Sequence, residues 1–161
     1  MMYAISLGSN DKSGEYLKKA IDALKEKGEV VKVSPVYETE PFETPCTENF
    51  LNACLILKTG LGPEELLDFT QAIERSLGRA SKGDKACRTI DIDILLAMDT
   101  IFFSRDLRIP HPELHRRGFF LVPLSDIAGG WIDPLTGKNI NELIEDIGET
   151  GGIWKTGISL E

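Results

Sequence analysis

The sequence predicts an α+β fold in which an antiparallel sheet carries helices on one face. Three observations lead there. Two segments repeat apolar residues at helical spacing, and four others are short, apolar and rich in β-branched residues. Together they follow the order β-α-β-β-α-β, and a less regular C-terminal part comes after them. That order is the ferredoxin-like, split βαβ arrangement, here with C-terminal additions.

Each element has a local reason. Residues 3–7 form a short apolar run that ends at Gly8-Ser9-Asn10, a strand entering a turn. Ser13 is placed to cap a helix that carries Tyr16, Leu17, Ala20, Ile21 and Leu24, with Gly28 to close it. Val30, Val31, Val33 and Val36 make a β-branched strand interrupted at Pro35. Residues 38–48 hold two prolines and predict a loop, and residues 50–57 predict the next strand. Pro63 suits the start of a helix that continues through Leu66, Leu67, Thr70, Ile73 and Leu77 to Gly78. A polar loop, 79–88, leads into a strand over 89–98. Further on, residues 139–147 predict a helix, and Asp133-Pro-Leu-Thr-Gly predicts a turn.

Composition narrows the function classes. With 161 residues, 42% of them hydrophobic, the chain is expected to form a single domain, 1–161, with an adequate core. No stretch approaches the roughly 18–20 apolar residues of a membrane helix, and no secretory leader is visible at the N-terminus. Cys46, Cys54 and Cys87 are an odd, scattered set without a CxxC, so a reducing, cytoplasmic setting is expected. A net charge of −8 argues against nucleic acid as a partner. An anionic small molecule would need clustered arginine or a metal ion.

The sharpest chemical feature is Ile90-Asp91-Ile92-Asp93-Ile94. Strand side chains alternate faces, so the isoleucines point one way and both carboxylates the other. Aspartate is disfavoured in strands, and like charges on one face repel. A bound cation would relieve both problems, and hard oxygen ligands at this spacing suit Mg²⁺ completed by substrate phosphates. The plain alternative is the solvated face of an amphipathic strand. Arg79 and Arg88 bracket the preceding loop, and Arg108, His111, Arg116 and Arg117 follow. Arginine matches phosphate oxygens well, although loop charges and ion pairs with the many acids would also account for these residues. His111, set between two prolines, fits an ordinary loop position as well as a functional one.

Phe50 and Asn52 share one strand face, while Leu51, Ala53, Leu55 and Leu57 occupy the other and are expected to pack on helices. An aromatic ring beside an amide suits a flat heterocycle; a core Phe beside a turn-capping Asn is the bland reading. No G-x-x-x-x-G-K-[ST] occurs, which excludes a P-loop.

Six ordered segments then carry a resemblance: SLGSN (6–10), SPVYET (34–39), NFLNA (49–53), ERSLGR (74–79), RTIDIDIL (88–95) and IPHPELHRRGFFLVPL (109–124). Across most of its length the chain resembles the 6-hydroxymethyl-7,8-dihydropterin pyrophosphokinases, and RTIDIDIL is close to a signature. The resemblance implies transfer of pyrophosphate from ATP to the hydroxymethyl group of the reduced pterin, giving AMP, in folate biosynthesis. It implies that Asp91 and Asp93 hold two Mg²⁺ ions and that Arg79, Arg88, His111 and Arg117 line the triphosphate. Gln71, Glu74, Ile94 and Arg108 would complete the ATP side. Phe50 and Phe119 would sandwich the pterin, with Asn52, Thr39, Asn10 and Phe42 around it. A monomer acting only on small molecules is expected. One departure stands out: the family's loop before RTIDIDIL commonly carries Trp and ends Gly-Pro-Arg, whereas 82–88 here is KGDKACR. Two rivals share the element order. One is an RNA-binding module of the RRM kind, echoed by Arg117-Gly-Phe-Phe-Leu-Val122; the other is a ligand-sensing domain without chemistry.

Overall fold

A computed structural model describes residues 1–41, 48–78, 89–148 and 150–160. The elements in chain order are β1 (Met2–Ser9), α1 (Glu15–Leu24), β2 (Glu29–Val33), β3 (Tyr37–Thr39), β4 (Phe50–Lys58) and α2 (Pro63–Ser76). They continue with β5 (Asp91–Ala97), β6 (Phe102–Phe103), β7 (Arg108–Ile109), α3 (Gly118–Ala128), α4 (Ile140–Ile147) and β8 (Ile153–Lys155). The main sheet runs β5-β1-β4-β3-β8, with β2 also paired to β4, and every pairing in it is antiparallel. β6 and β7 form a separate hairpin.

The break at Pro35 is where one strand becomes two. β2 lies along the end of β4 and β3 along its beginning, with residues 34–36 between them. Ser34 patches the gap: its N–H donates to the Cys54 carbonyl at 2.8 Å, and its Oγ accepts the Cys54 N–H at 2.8 Å. Helix ends follow the predicted signals with small shifts. Ser13 Oγ accepts the Glu15 N–H at the start of α1, and Pro63 opens α2. α1 stops at Leu24 rather than at Gly28, because its last amides tighten onto carbonyls three residues back, Glu26 to Ala23 and Lys27 to Leu24. Asn139 caps α4 by accepting the Glu142 N–H at 2.9 Å, and Glu142 returns the contact to the Asn139 N–H. Asp133 closes the predicted turn by accepting from Leu135 N–H and Thr136 Oγ1.

The expectation of helices on one face needs correction. α1 and α2 cover the face that carries Ile5, Leu7, Leu51, Ala53, Leu55, Leu57, Ile92 and Ile94. The opposite face carries Ala4, Cys54, Ile56 and Leu96 beneath Phe120, Leu121 and Leu124 of α3, with Ile140 and Leu143 of α4 behind them. The signal was present in residues 53–57, which are apolar at consecutive positions as a strand covered on both faces must be. α3 also disposes of the RNA-binding echo. Gly118 to Val122 is the start of a helix, not a strand that offers aromatics from a sheet surface.

Candidate active site

The second face is only partly covered by α3, and toward one end it turns polar. Strand register sets two rows across it. Tyr37, Asn52, Gly8 and Asp91 face one another across β3, β4, β1 and β5. One step along, Cys54, Ser6 and Asp93 do the same, and Thr39 faces Phe50. Asp91 and Asp93 therefore share a face, as the alternation requires, while Ile90, Ile92 and Ile94 enter the helix-side core. A register shift between Ala4 and Ile5 puts Leu95 and Leu96 on the same side just beyond the carboxylates, so apolar packing resumes where the polar row ends.

Asn52 and Thr39 are both buried, and the Asn52 amide donates to Thr39 Oγ1 at 2.6 Å. A Cβ at Gly8 would sit 3.0 Å from Asn52 Oδ1, so a larger residue there would press on the amide. Phe50 and Phe119 are half-buried. Phe119 packs edge-on against Phe120, with ring centres 4.8 Å apart, and Phe120 in turn meets the His111 ring at 5.0 Å. Asn10 lies half-buried in the turn after β1. That turn is tied to the approach to β5 by Ser9, whose Oγ donates to the Thr89 carbonyl and accepts the Asp11 N–H.

His111 stands on the side of the two aspartates. Its backbone N–H donates to the Leu95 carbonyl at 2.8 Å, which docks the loop onto β5. Its Nδ1 accepts the Glu113 N–H at 3.0 Å, so the neutral ring carries its proton on Nε2, 3.9 Å from Asp93 Oδ1. Burial is the main cause that pushes its pKa below the ordinary value. Arg117 adds to that, and the Glu113 and Asp91 carboxylates oppose it. Repulsion from Arg117 is thus the smaller part. Glu113 takes both following arginines, Arg116 Nε at 3.2 Å and Arg117 Nη2 at 3.6 Å, and the Arg117 side chain is only 11% exposed.

Gln71 and Glu74, which the resemblance puts on the ATP side, differ in their surroundings. Gln71 is exposed on α2, but Glu74 is buried, and its Oε2 accepts the Ile92 N–H at 2.8 Å. β5 is an edge strand, so that N–H, between the two aspartates, points away from β1, and a carboxylate from α2 satisfies it. Ile94 has its side chain in the helix-side core, facing away from the carboxylates. Arg108 is exposed on the β6–β7 hairpin. Phe42, Arg79 and Arg88 lie outside the described residues, as do Lys82, Lys85, Cys46 and Cys87. Cys54 is fully buried, and burial drives its thiol pKa well above the ordinary value, which makes it a packing residue and not a nucleophile.

Sequence reasoning passed over Tyr37. Its hydroxyl donates to Asp126 of α3 at 2.5 Å, and burial, then Asp126, pushes the phenol pKa up to about 12. Its place two residues before Thr39 on the same face was the available clue.

Fold and site together define a small α/β protein that presents a carboxylate pair and an amide–aromatic pair on one open end of a sheet. The model of the 7,8-dihydro-6-hydroxymethylpterin-pyrophosphokinase family matches residues 4–129, and the chain belongs to that family. It is 38% identical over 144 residues to the 2-amino-4-hydroxy-6-hydroxymethyldihydropteridine pyrophosphokinase of Aquifex aeolicus, covering 88% of this chain and 90% of that one. The Bacillus subtilis enzyme of the same name is 41% identical over 127 residues, covering 77% of this chain and 76% of its own. The folic acid synthesis protein fol1 of Pneumocystis carinii is 42% identical over 147 residues, or 89% of this chain, but the chain spans only 20% of that longer protein. Among solved structures, the HPPK-DHPS of Plasmodium falciparum with pteroate shares the fold, with a TM-score of 0.73 at 16% identity. That match covers 90% of this chain and 42% of the Plasmodium chain. The protein is a pyrophosphokinase: it transfers a pyrophosphoryl group from ATP to hydroxymethyldihydropterin in folate synthesis.

Proposed function

We propose that the polar end of the sheet is the transfer site, with ATP and Mg²⁺ on the β5 side and the pterin on the β4–β3 side. The observation that carries this is the single row formed by Asn52, Gly8 and Asp91, which lets one small molecule touch both an amide and a carboxylate. Asn52 and Thr39 act on the pterin edge, Phe50 and Phe119 on its faces, and Asn10 from the turn after β1; Phe42 is assigned to the pterin with them. Arg79, Arg88, His111 and Arg117 act on the triphosphate, and Gln71 and Arg108 also serve the ATP side. The carboxylate pair fits Mg²⁺, which takes one or two protein carboxylates and fills its shell with water and phosphate. Two ions are proposed at Asp91 and Asp93. Bound there, they would neutralise phosphate charge and make the pterin hydroxyl more acidic.

The chain's own work is then placement. Glu74 fixes the stretch of β5 between the two carboxylates, and the Gly8 gap with Thr39 fixes the Asn52 amide. His111 keeps its Nε2–H on the Asp93 side, 3.9 Å from Oδ1, where it can donate to a phosphate oxygen. Residues 1–161 are taken as one catalytic unit, a ferredoxin-like core with its second strand split into β2 and β3. It is taken to work as a monomer in the cytoplasm.

Thermal melts and initial rates of the parent, Asp91→Ala and Asp93→Ala test the assignment. Each variant should lose at least about a hundredfold in rate, the order expected for one major electrostatic stabiliser. Mg²⁺ with an ATP analogue should raise the melting temperature of the parent and do so much less for the variants. An active Asp93→Ala enzyme would end the metal assignment.

A further inference from the structure

Residues 150–160 lie beyond the stretch matched by the family model and return to the site from outside it. β8 adds to the free edge of β3, with Ile153 opposite Thr39, Glu38 opposite Trp154 and Tyr37 opposite Lys155. The attachment continues at both ends of the strand. Glu40 N–H donates to the Gly152 carbonyl at 2.9 Å, and Thr156 gives both its N–H and its Oγ1 to the Val36 carbonyl. The segment then rounds the sheet edge. Ile158 packs over Gly14 at the start of α1, and with Leu160 it joins the core on the opposite face.

Ile153 is the residue that matters. Cross-strand partners share a face, so Ile153 lies on the same face as Thr39 and Phe50. There it meets the first turn of α3. A Cβ on Gly118 would stand 3.0 Å from Ile153 Cδ1 and 3.2 Å from Thr150 Cβ, so the contact is this close because residue 118 carries no side chain. Gly118 immediately precedes Phe119. One isoleucine therefore touches the helix turn that carries one wall of the pterin end and pairs with the strand residue that holds Asn52 in the other. Among the described contacts, Tyr37 with Asp126 links the same two elements about two helical turns further along α3. Ile153 sets their separation at the near end.

We propose that residues 150–158 form a strap that fixes the width of the pterin end, and that Ile153 is a positioning residue for the pterin. The inference rests on the site reading above, in which Asn52, Thr39 and Phe119 hold the pterin.

Full-length Ile153→Ala and Ile153→Val test it through the KM for hydroxymethyldihydropterin, the KM for ATP, kcat and the melting temperature. Ile153→Ala should raise the pterin KM about tenfold or more, while the ATP KM and kcat stay within about twofold. Ile153→Val, which keeps the branched contact, should recover most of that loss. It also serves as the informative variant if Ile153→Ala does not fold, with a pterin KM two- to threefold above the parent and an unchanged ATP KM. Trp154→Ala, on the opposite face of the same strand, should leave the pterin KM as in the parent. A pterin KM that stays put, or pterin and ATP KM rising together as the melting temperature falls, would overturn the strap. A parent that neither binds nor turns over the pterin would overturn the site reading, and the strap with it.

Discussion

Glu74 offers the clearest separation between a residue that touches substrate and one that holds the site in shape. Its carboxylate is buried and accepts the Ile92 N–H at 2.8 Å, in the middle of the segment that carries Asp91 and Asp93. Glu74→Ala removes a charge-assisted hydrogen bond worth about 1.5–3 kcal/mol and leaves a buried amide without that acceptor. With the small cavity added, a loss of about 2–4 kcal/mol is expected. At about 2–4 °C per kcal/mol for a chain of this size, the melting temperature should fall by roughly 5–15 °C. Because β5 is an edge strand, the loosening should be local as well as global. Exchange of the Ile92 amide should accelerate more than that of β1 amides, and kcat should fall at least about tenfold as both carboxylates lose their fixed placement. Glu74→Gln keeps an acceptor oxygen and should recover most of the stability and activity. Urea melts, amide exchange and initial rates decide the matter. A Glu74→Ala protein as stable as the parent, with Ile92 exchange unchanged, would refute the bracing role. A Glu74→Gln protein that kept its stability but lost ATP affinity would return the residue to the nucleotide side.

Two further outcomes follow from the same geometry. Tyr37→Phe removes the hydrogen bond to Asp126 and should cost about 1–2 kcal/mol near neutral pH. The native phenol titrates at about 12, against about 10 in the unfolded chain. The stabilisation it supplies is therefore complete below pH 10 and fades as the pH rises toward 12, so the gap between parent and variant should close over that interval. A gap that stays constant or widens in alkaline melts would contradict this. His111→Ala should raise the ATP KM several-fold and lower kcat by no more than about tenfold, because the neutral ring offers the triphosphate one Nε2–H donor and is not the sole base. Complete loss of turnover in a folded variant would make it essential instead.

Much of this was legible in the chain because period and punctuation agree with the tertiary structure there. Alternation in residues 90–94 placed both carboxylates on one face, alternation in residues 50–57 placed Phe50 with Asn52, and Pro35 marked the break between β2 and β3. What stayed hidden was whatever depends on a second element. Nothing local to Glu74 says that its carboxylate meets a backbone amide on a separate strand, β5. Residues 118–122 are apolar throughout, so their period could not separate a helix from a strand, and only the packing against Ala4, Cys54 and Ile56 reveals a second covered face. β8, the strand within the strap, is three residues long, too short for any periodicity to show.

The central claim is that the polar end of the sheet moves two phosphoryl groups as one unit. The most direct test supplies ATP, Mg²⁺ and 6-hydroxymethyl-7,8-dihydropterin and separates the nucleotide products by chromatography. The account predicts AMP in amounts equal to the pterin consumed, with a pterin pyrophosphate as the other product. ADP as the pterin-dependent product, or no pterin-dependent product at all, would contradict it.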